Sequence, residues 1–152
     1  MNRRCRRELR TTNGSWRVDE TYLRVAGKWT YLYRAVDSTG ATIDFLSARR
    51  DATAAKRFLQ KALRSPGHPP RVINVDGNPS YPKAIAELKR TGELGRRCRS
   101  RTVQYLNNIV EQDHRTIKRR VRASQGFRSF RSATRTIQGI EMVNMIRKGQ
   151  VR

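Results

Sequence analysis

The chain has 152 residues, the length of one domain and enough to bury about two thirds of the surface its unfolded form exposes. Its 34 Lys and Arg against 12 Asp and Glu give a net charge of +22, which favours a polyanionic partner whose counterions the protein displaces; nucleic acid fits best. A membrane surface is the competing polyanion, but no run of about eighteen apolar residues and no apolar stretch behind the basic start supports it, so a soluble, intracellular chain is expected.

Residues 1–15, MNRRCRRELRTTNGS, carry five arginines and little that packs, and read as a flexible basic arm ahead of a folded body over 16–150. Segments 16–25, 29–36 and 41–47 are rich in aromatic and β-branched residues and are separated by Ala26-Gly27-Lys28 and Asp37-Ser38-Thr39-Gly40. That pattern predicts a three-stranded antiparallel meander. Asp51 is placed to cap a helix with Ala55, Phe58, Leu59, Ala62 and Leu63 on one face, ended by Ser65-Pro66-Gly67. A short strand, Arg71–Val75, delivers Asp76. Ser80 is predicted to cap a second helix, with Pro82 in its first turn, Ala84, Ile85 and Leu88 inward, and Gly92 closing it. A weak strand near 98–103 precedes a helix from about Tyr105 to Arg122. A last helix, about 131–147, sets Ile137, Ile140 and Val143 or Asn144 at helical spacing. Strands four and five, each reached through a helix, should run parallel beside the meander, giving an α/β fold with a mixed five-stranded sheet flanked by helices.

Residues 96–152 hold 15 Lys and Arg against 3 acids, whereas 16–95 hold 14 against 8, so the C-terminal third is the expected backbone-binding surface. Cys5 and Cys98 lie far apart without zinc spacing and read as free thiols.

Against this basic background, Asp19, Asp76 and Glu111 sit in uncharged or apolar strings, WRVDETYL, RVINVDGNPS and NNIVEQDHRTIK. An ionised carboxylate near a core is costly unless paired or bound to metal. Asp76 ends a βα unit, where open α/β sheets place their sites, and Asp19 lies within the first strand. If strands one and four are neighbours, the two carboxylates converge, with Glu111 arriving from a helix packed across them. Three carboxylates suit Mg²⁺. On that helix Glu111, Arg115, Lys118 and Arg122 share one stripe, beside an apolar stripe of Val110, Ile117 and Val121, so one face can hold metal while continuing along a DNA backbone. Arg119 and Arg120 add charge there. Glu111 with Arg115 or Lys118 also fits an ordinary helical charge pair. Asp37, Asp44, Asp51 and Asp113 fit turn, sheet-surface, cap and helix-surface roles; His114 fits a structural hydrogen bond or a contact to DNA or metal-bound water. Trp16, Trp29, Tyr31 and Tyr33 read as sheet packing rather than base-stacking platforms.

These strings resemble the DDE-type transposases of bacterial insertion sequences, most closely family six. The likeness runs from about Ser15 to Gln150, through SWRVDETYLRVAGKWTYLYRAVDSTGATIDF, INVDGNPSYPKAI, NNIVEQDHRTIKRRVR and GFRSFRSATRTIQGIEMVNMIRKGQ. The thirty-five positions between Asp76 and Glu111, with Lys118 seven later, are similar to that family's signature. The resemblance implies a ribonuclease-H-like, retroviral-integrase-like fold, a catalytic and metal-binding triad at Asp19, Asp76 and Glu111, and DNA contacts from the basic helix. It also implies binding of inverted-repeat ends and target DNA, a homo-oligomer on two ends, and a bacterial, nucleoid-associated setting. The reaction implied is 3′-end nicking followed by strand transfer, by a replicative, cointegrate-forming route. The expected chemistry is phosphoryl transfer with two Mg²⁺, or Mn²⁺ in their place, Asp19 bridging both and Asp76 and Glu111 each completing one. Family members usually carry an N-terminal helix-turn-helix for which this chain begins too late, implying an N-terminally truncated member, and commonly a lysine where Gly77 stands. Two rivals remain: a catalytically inert DNA-binding remnant, and a simple ribonuclease-H-like nuclease that cleaves without joining.

Overall fold

A computed structural model of the chain describes residues 8–48, 51–103, 108–123 and 127–151. Strands β1 (Ser15–Val25), β2 (Lys28–Asp37) and β3 (Thr42–Ala48) form the expected antiparallel meander. β1 and β2 are joined by a two-residue turn in which Ala26 (φ 49°) and Gly27 (φ 77°) both take positive φ, the backbone whose twist matches a tight hairpin. Ala26 is an unusual residue there, and its N–H donates to the Phe127 carbonyl at 2.7 Å. β4 (Val72–Val75) lies parallel to β1, and β5 (Arg99–Thr102) parallel to β4, so the sheet order is β3-β2-β1-β4-β5.

Among the described residues four helices cover the sheet: α1 (Ala52–Leu63), α2 (Ser80–Arg90), α3 (Asn108–Ala123) and α4 (Phe130–Arg147). The period-two alternation of strand side chains divides the interior between the two faces. Trp16, Val18, Tyr33 and Ala35 join Phe58 and Leu59 of α1 and Tyr81, Ile85 and Leu88 of α2 in one core. Leu23, Val25, Leu32 and Phe45 join Ile117 and Val121 of α3 and Ile137 and Ile140 of α4 in the other. Among the described residues no helix is long and apolar enough to cross a membrane.

Several local expectations change. Asp51 caps α1 as read, accepting from the Ala54 N–H at 2.6 Å. Ser80 is instead the first residue of α2, whose N-cap, Pro79, makes no side-chain cap bond; the Asn78 side chain accepts from the Ser80 N–H at 3.0 Å. Asp44 is buried rather than on the sheet surface, 3.0 Å from the Lys61 ammonium and 2.9 Å from the Ser65 hydroxyl. Asn144, not Val143, turns inward on α4. Of the segment read as an arm, Leu9 is buried and bridges to Val151, and Thr12 bridges to Gly67; the two small backbone contacts fasten residues ahead of β1 to the body. Cys98 is buried and unbridged, while Cys5, Tyr105 and the side chain of Asp113 lie outside the described residues.

One ion pair ties α4 to the sheet. Arg34 on β2 and Glu141 on α4 are both fully buried and directly bonded. Removing one partner of a buried pair strands the other charge, which costs about 3–5 kcal/mol, whereas replacing both by apolar residues is often nearly neutral. Glu141→Ala should therefore lower the unfolding free energy in urea by about 3 kcal/mol, and Arg34→Met with Glu141→Leu should restore most of it. A single-variant loss under about 1 kcal/mol would show the pair to be dispensable.

Candidate metal centre

The parallel register of β1 and β4 sets Val18 against Val75, so the next residue of each strand, Asp19 and Asp76, leaves the sheet side by side. Asp19 Oδ1 accepts from the Glu20 N–H at 2.8 Å, and Asp76 Oδ1 from the Asn78 N–H at 3.0 Å, which holds each carboxylate against its own backbone. One oxygen each from Asp19, Glu20 and Asp76 lie within 4.8 Å of one another. Burial and then the neighbouring Asp76 charge push the Asp19 carboxyl up to about 7, with Glu20 and Glu111 adding to the repulsion. A set of hard oxygen donors carrying more negative charge than it can keep ionised fits a divalent cation, which removes the penalty that a proton otherwise relieves.

Glu20 was not singled out in the sequence, because adjacent strand residues point to opposite faces. The alternation breaks where β4 ends, and both Asp19 and Glu20 are half-buried. Glu20 accepts from Asn78 Nδ2 at 2.5 Å and from the Tyr81 hydroxyl at 2.7 Å. It therefore braces the loop after Asp76 and the first turn of α2, with both oxygens engaged.

Glu111 arrives in the first turn of α3 but stands outside that cluster. Its side chain is 55% exposed and accepts from Arg115 at 2.9 Å, the helical pair that its spacing permitted. Its charge nonetheless reaches Asp19. Between them lies His114, buried, with Nδ1 3.7 Å from Asp19 Oδ2 and Nε2 without a hydrogen-bond partner among the described residues. Burial first, then the Arg34 and Lys118 charges, push its pKa down to about 3, so the imidazole is neutral at physiological pH. Arg34 is the cross-strand partner of Asp19.

The remaining predicted contacts line the outside of α3. Val110, His114, Ile117 and Val121 face inward at helical spacing. Arg115, Arg119 and Arg122 are exposed, Arg120 and Lys118 partly so, and the Lys118 ammonium lies 4.3 Å from the centre of the Tyr22 ring. A groove of about 680 Å³ between α1, β2 and α4 includes none of the three acids. The clustered carboxylates, each half-buried, form a shelf just past the end of β4.

Comparison with known proteins agrees with this geometry. A family model described as a DDE domain matches residues 13–150. The transposase for insertion sequence-like element IS431mec of Staphylococcus aureus strain Mu50 is 41% identical over 134 residues, covering 88% of this chain and 58% of that protein. The transposase of insertion sequence element IS257 in transposon Tn4003, also from S. aureus, matches to the same extent. The chain thus spans 58% of the length of these curated relatives. An uncharacterized protein of Yersinia pseudotuberculosis, pYV0051, is 37% identical over 102 residues, covering 65% of this chain and 95% of that one. Among solved structures, the HTLV-2 integrase catalytic core domain in complex with magnesium superposes with a TM-score of 0.53 at 21% identity, over 72% of this chain and 69% of that one. The BIV integrase catalytic core superposes with a TM-score of 0.53 at 20% identity, over 74% and 71%. At such identity these structures bear on the fold alone, which is ribonuclease-H-like and integrase-like, as the sequence resemblance implies.

The Asp19 shift has a sign that can be measured. Its folded value, about 7, lies above the ordinary value of 3.8, so the protonated carboxyl stabilises the fold below about pH 4 and that contribution is lost as pH rises through 7. In metal-free buffer Asp19→Asn should raise the melting temperature at about pH 8 by roughly 5 °C and leave it unchanged near pH 4. Added Mg²⁺ or Mn²⁺ should stabilise the native chain at the higher pH and the variant much less. Equal melting curves at both pH values would remove the charge repulsion from the account.

Proposed function

The chain belongs to the DDE-type transposases of insertion-sequence family six, and from that premise we propose that Asp19, Asp76 and Glu111 are the catalytic, metal-holding acids of a domain that cuts and joins DNA strands. The observation that carries the proposal is the pairing of the Asp19 and Asp76 carboxylates, Asp19 within β1 and Asp76 just past the end of the parallel β4, the first raised to about 7 by burial and by the other's charge. Two Mg²⁺, when bound, would neutralise the phosphate under attack and lower the pKa of the attacking oxygen. Asp19, Asp76 and Glu111 would hold these ions. Glu111 would take this role by exchanging Arg115 for a cation. Arg115 is then released to join Lys118, Arg119, Arg120 and Arg122 on DNA phosphates, fixing the backbone relative to the acids without reading its sequence. Neutral His114 packs beside Asp19 without adding a positive charge that would compete with the ions.

On this reading the whole protein exposes 3′ hydroxyls at inverted-repeat ends and joins them to target DNA by a replicative, cointegrate-forming route, as a homo-oligomer on two ends in the bacterial nucleoid. The engagement of Glu111 by Arg115 also favours a second reading, in which the chain binds DNA without catalysis. Divalent-metal-dependent strand transfer separates the two, since both bind DNA in a salt-sensitive way.

Asp76→Asn should abolish Mg²⁺-dependent nicking of supercoiled plasmid and joining of a labelled 3′-hydroxyl duplex, while DNA affinity stays the same or rises. Undiminished nicking by that variant would sink the assignment, and nicking without joining in the native chain would favour a hydrolytic nuclease. Gly77 is exposed, and a Cβ there meets no heavy atom within 4 Å. Gly77→Lys, the residue common in the family, should leave the melting temperature unchanged and tighten plasmid binding severalfold at low salt.

A further inference from the structure

We propose that Tyr22 and Trp29, flanked by Arg24, Lys118 and Arg122, form a stacking platform for an unpaired base of the DNA strand whose phosphate lies at the carboxylate shelf. The inference rests on the site reading above and extends it to a base-binding groove.

Trp29 is 60% and Tyr22 52% exposed, a poor return for two large rings on a strand pair in which Trp16 and Tyr33 are buried and Tyr31 partly so. They contact each other edge to face, centroids 5.2 Å apart. Each carries a cation: Arg24 lies 5.4 Å from the Trp29 ring and Lys118 4.3 Å from the Tyr22 ring. With Leu23, Val121 and Arg122 they line a groove of about 330 Å³ open to solvent. An apolar floor with a rim of positive charge and no acid matches a nucleotide, whose base stacks while its phosphate pairs with the rim. An acidic or purely apolar protein partner would satisfy only one half of that surface.

Position along the chain links the groove to the acids. Tyr22 stands three residues beyond Asp19 on β1, about 10 Å at strand rise. Lys118 stands seven beyond Glu111 on α3, about 10 Å at helical rise. Along β1 the groove thus lies roughly one or two nucleotides from the clustered acids, and α3 flanks it on the side that also carries Glu111. Duplex DNA cannot present a base face to a ring, so the occupant is an unpaired or flipped-out base at a frayed or cut end.

The chain has 2 tryptophans, of which Trp16 is buried, so DNA-dependent quenching of tryptophan emission reports mainly on Trp29. Titrations in EDTA, comparing a blunt duplex with the same duplex carrying a short single-stranded overhang, exclude catalysis. Their outcome is therefore independent of whether the acids cut DNA. The overhang should quench emission and bind more tightly. Trp29→Ala should weaken overhang binding at least about fivefold while changing blunt-duplex binding less than about twofold, and Trp29→Phe, which keeps a stacking face, should retain the preference. Circular dichroism melting verifies that each variant is folded. Equal quenching by both duplexes, an equal loss on both, or a Trp29→Ala variant that only dissociates a dimer of the chain would each overturn the proposal.

Discussion

Parallel pairing of β1 with β4 is the constraint from which the site follows. Asp19 and Asp76 are separated by fifty-seven positions, yet the register that aligns Val18 with Val75 leaves each aspartate one residue beyond the last pair. Because hydrogen bonds set the strand spacing at about 4.8 Å, two such carboxylates cannot avoid one another. A one-residue slip would turn Asp19 to the opposite face of the sheet, and with it Trp16 and Val18 out of the α1–α2 core. The apolar interior thus enforces an electrostatic arrangement that would not persist unaided.

The charges around that pair are arranged to tolerate it. A protein of net charge +22 keeps a small acidic cluster half-buried, with a neutral histidine rather than an imidazolium against it. Arg34, the nearest cross-strand cation, is bonded to buried Glu141, which draws part of its charge away from Asp19 and anchors α4 in the same contact. Glu20 is occupied by Asn78 and Tyr81, so its role is to position the loop that carries Asp76. α3 carries exposed Arg115, Arg119 and Arg122 on its outer stripe while its inner stripe packs on the sheet.

Much of this was legible in the chain. Alternation in WRVDETYLRV, β-branched strings and Gly-containing breaks locate the strands, and the helical spacing of Val110, Ile117 and Val121 orients α3, because these patterns are set by local periodicity. Less local features escaped. Ser80 has the side chain of a cap, yet the cap position falls to Pro79, and the Ser80 N–H is taken by Asn78 in the loop that Glu20 holds. Asp44 looked like a surface acid until Lys61 and Ser65 closed over it. Trp29 looked like sheet packing, yet it lies at the start of β2, beyond the reach of either core, and stays exposed.

The sequence by itself determined which residues are acidic, basic and apolar, how they recur along each element, and hence a mixed sheet with a basic helix beside it. Only the tertiary structure decided which acids meet. Asp19 and Asp76 meet because strand register is transmitted by backbone hydrogen bonds across the sheet, and Glu20 is held near them by Asn78 and Tyr81. Glu111 turns to Arg115 because an exposed carboxylate four residues from a guanidinium on the same helix finds its partner locally, without any help from the fold.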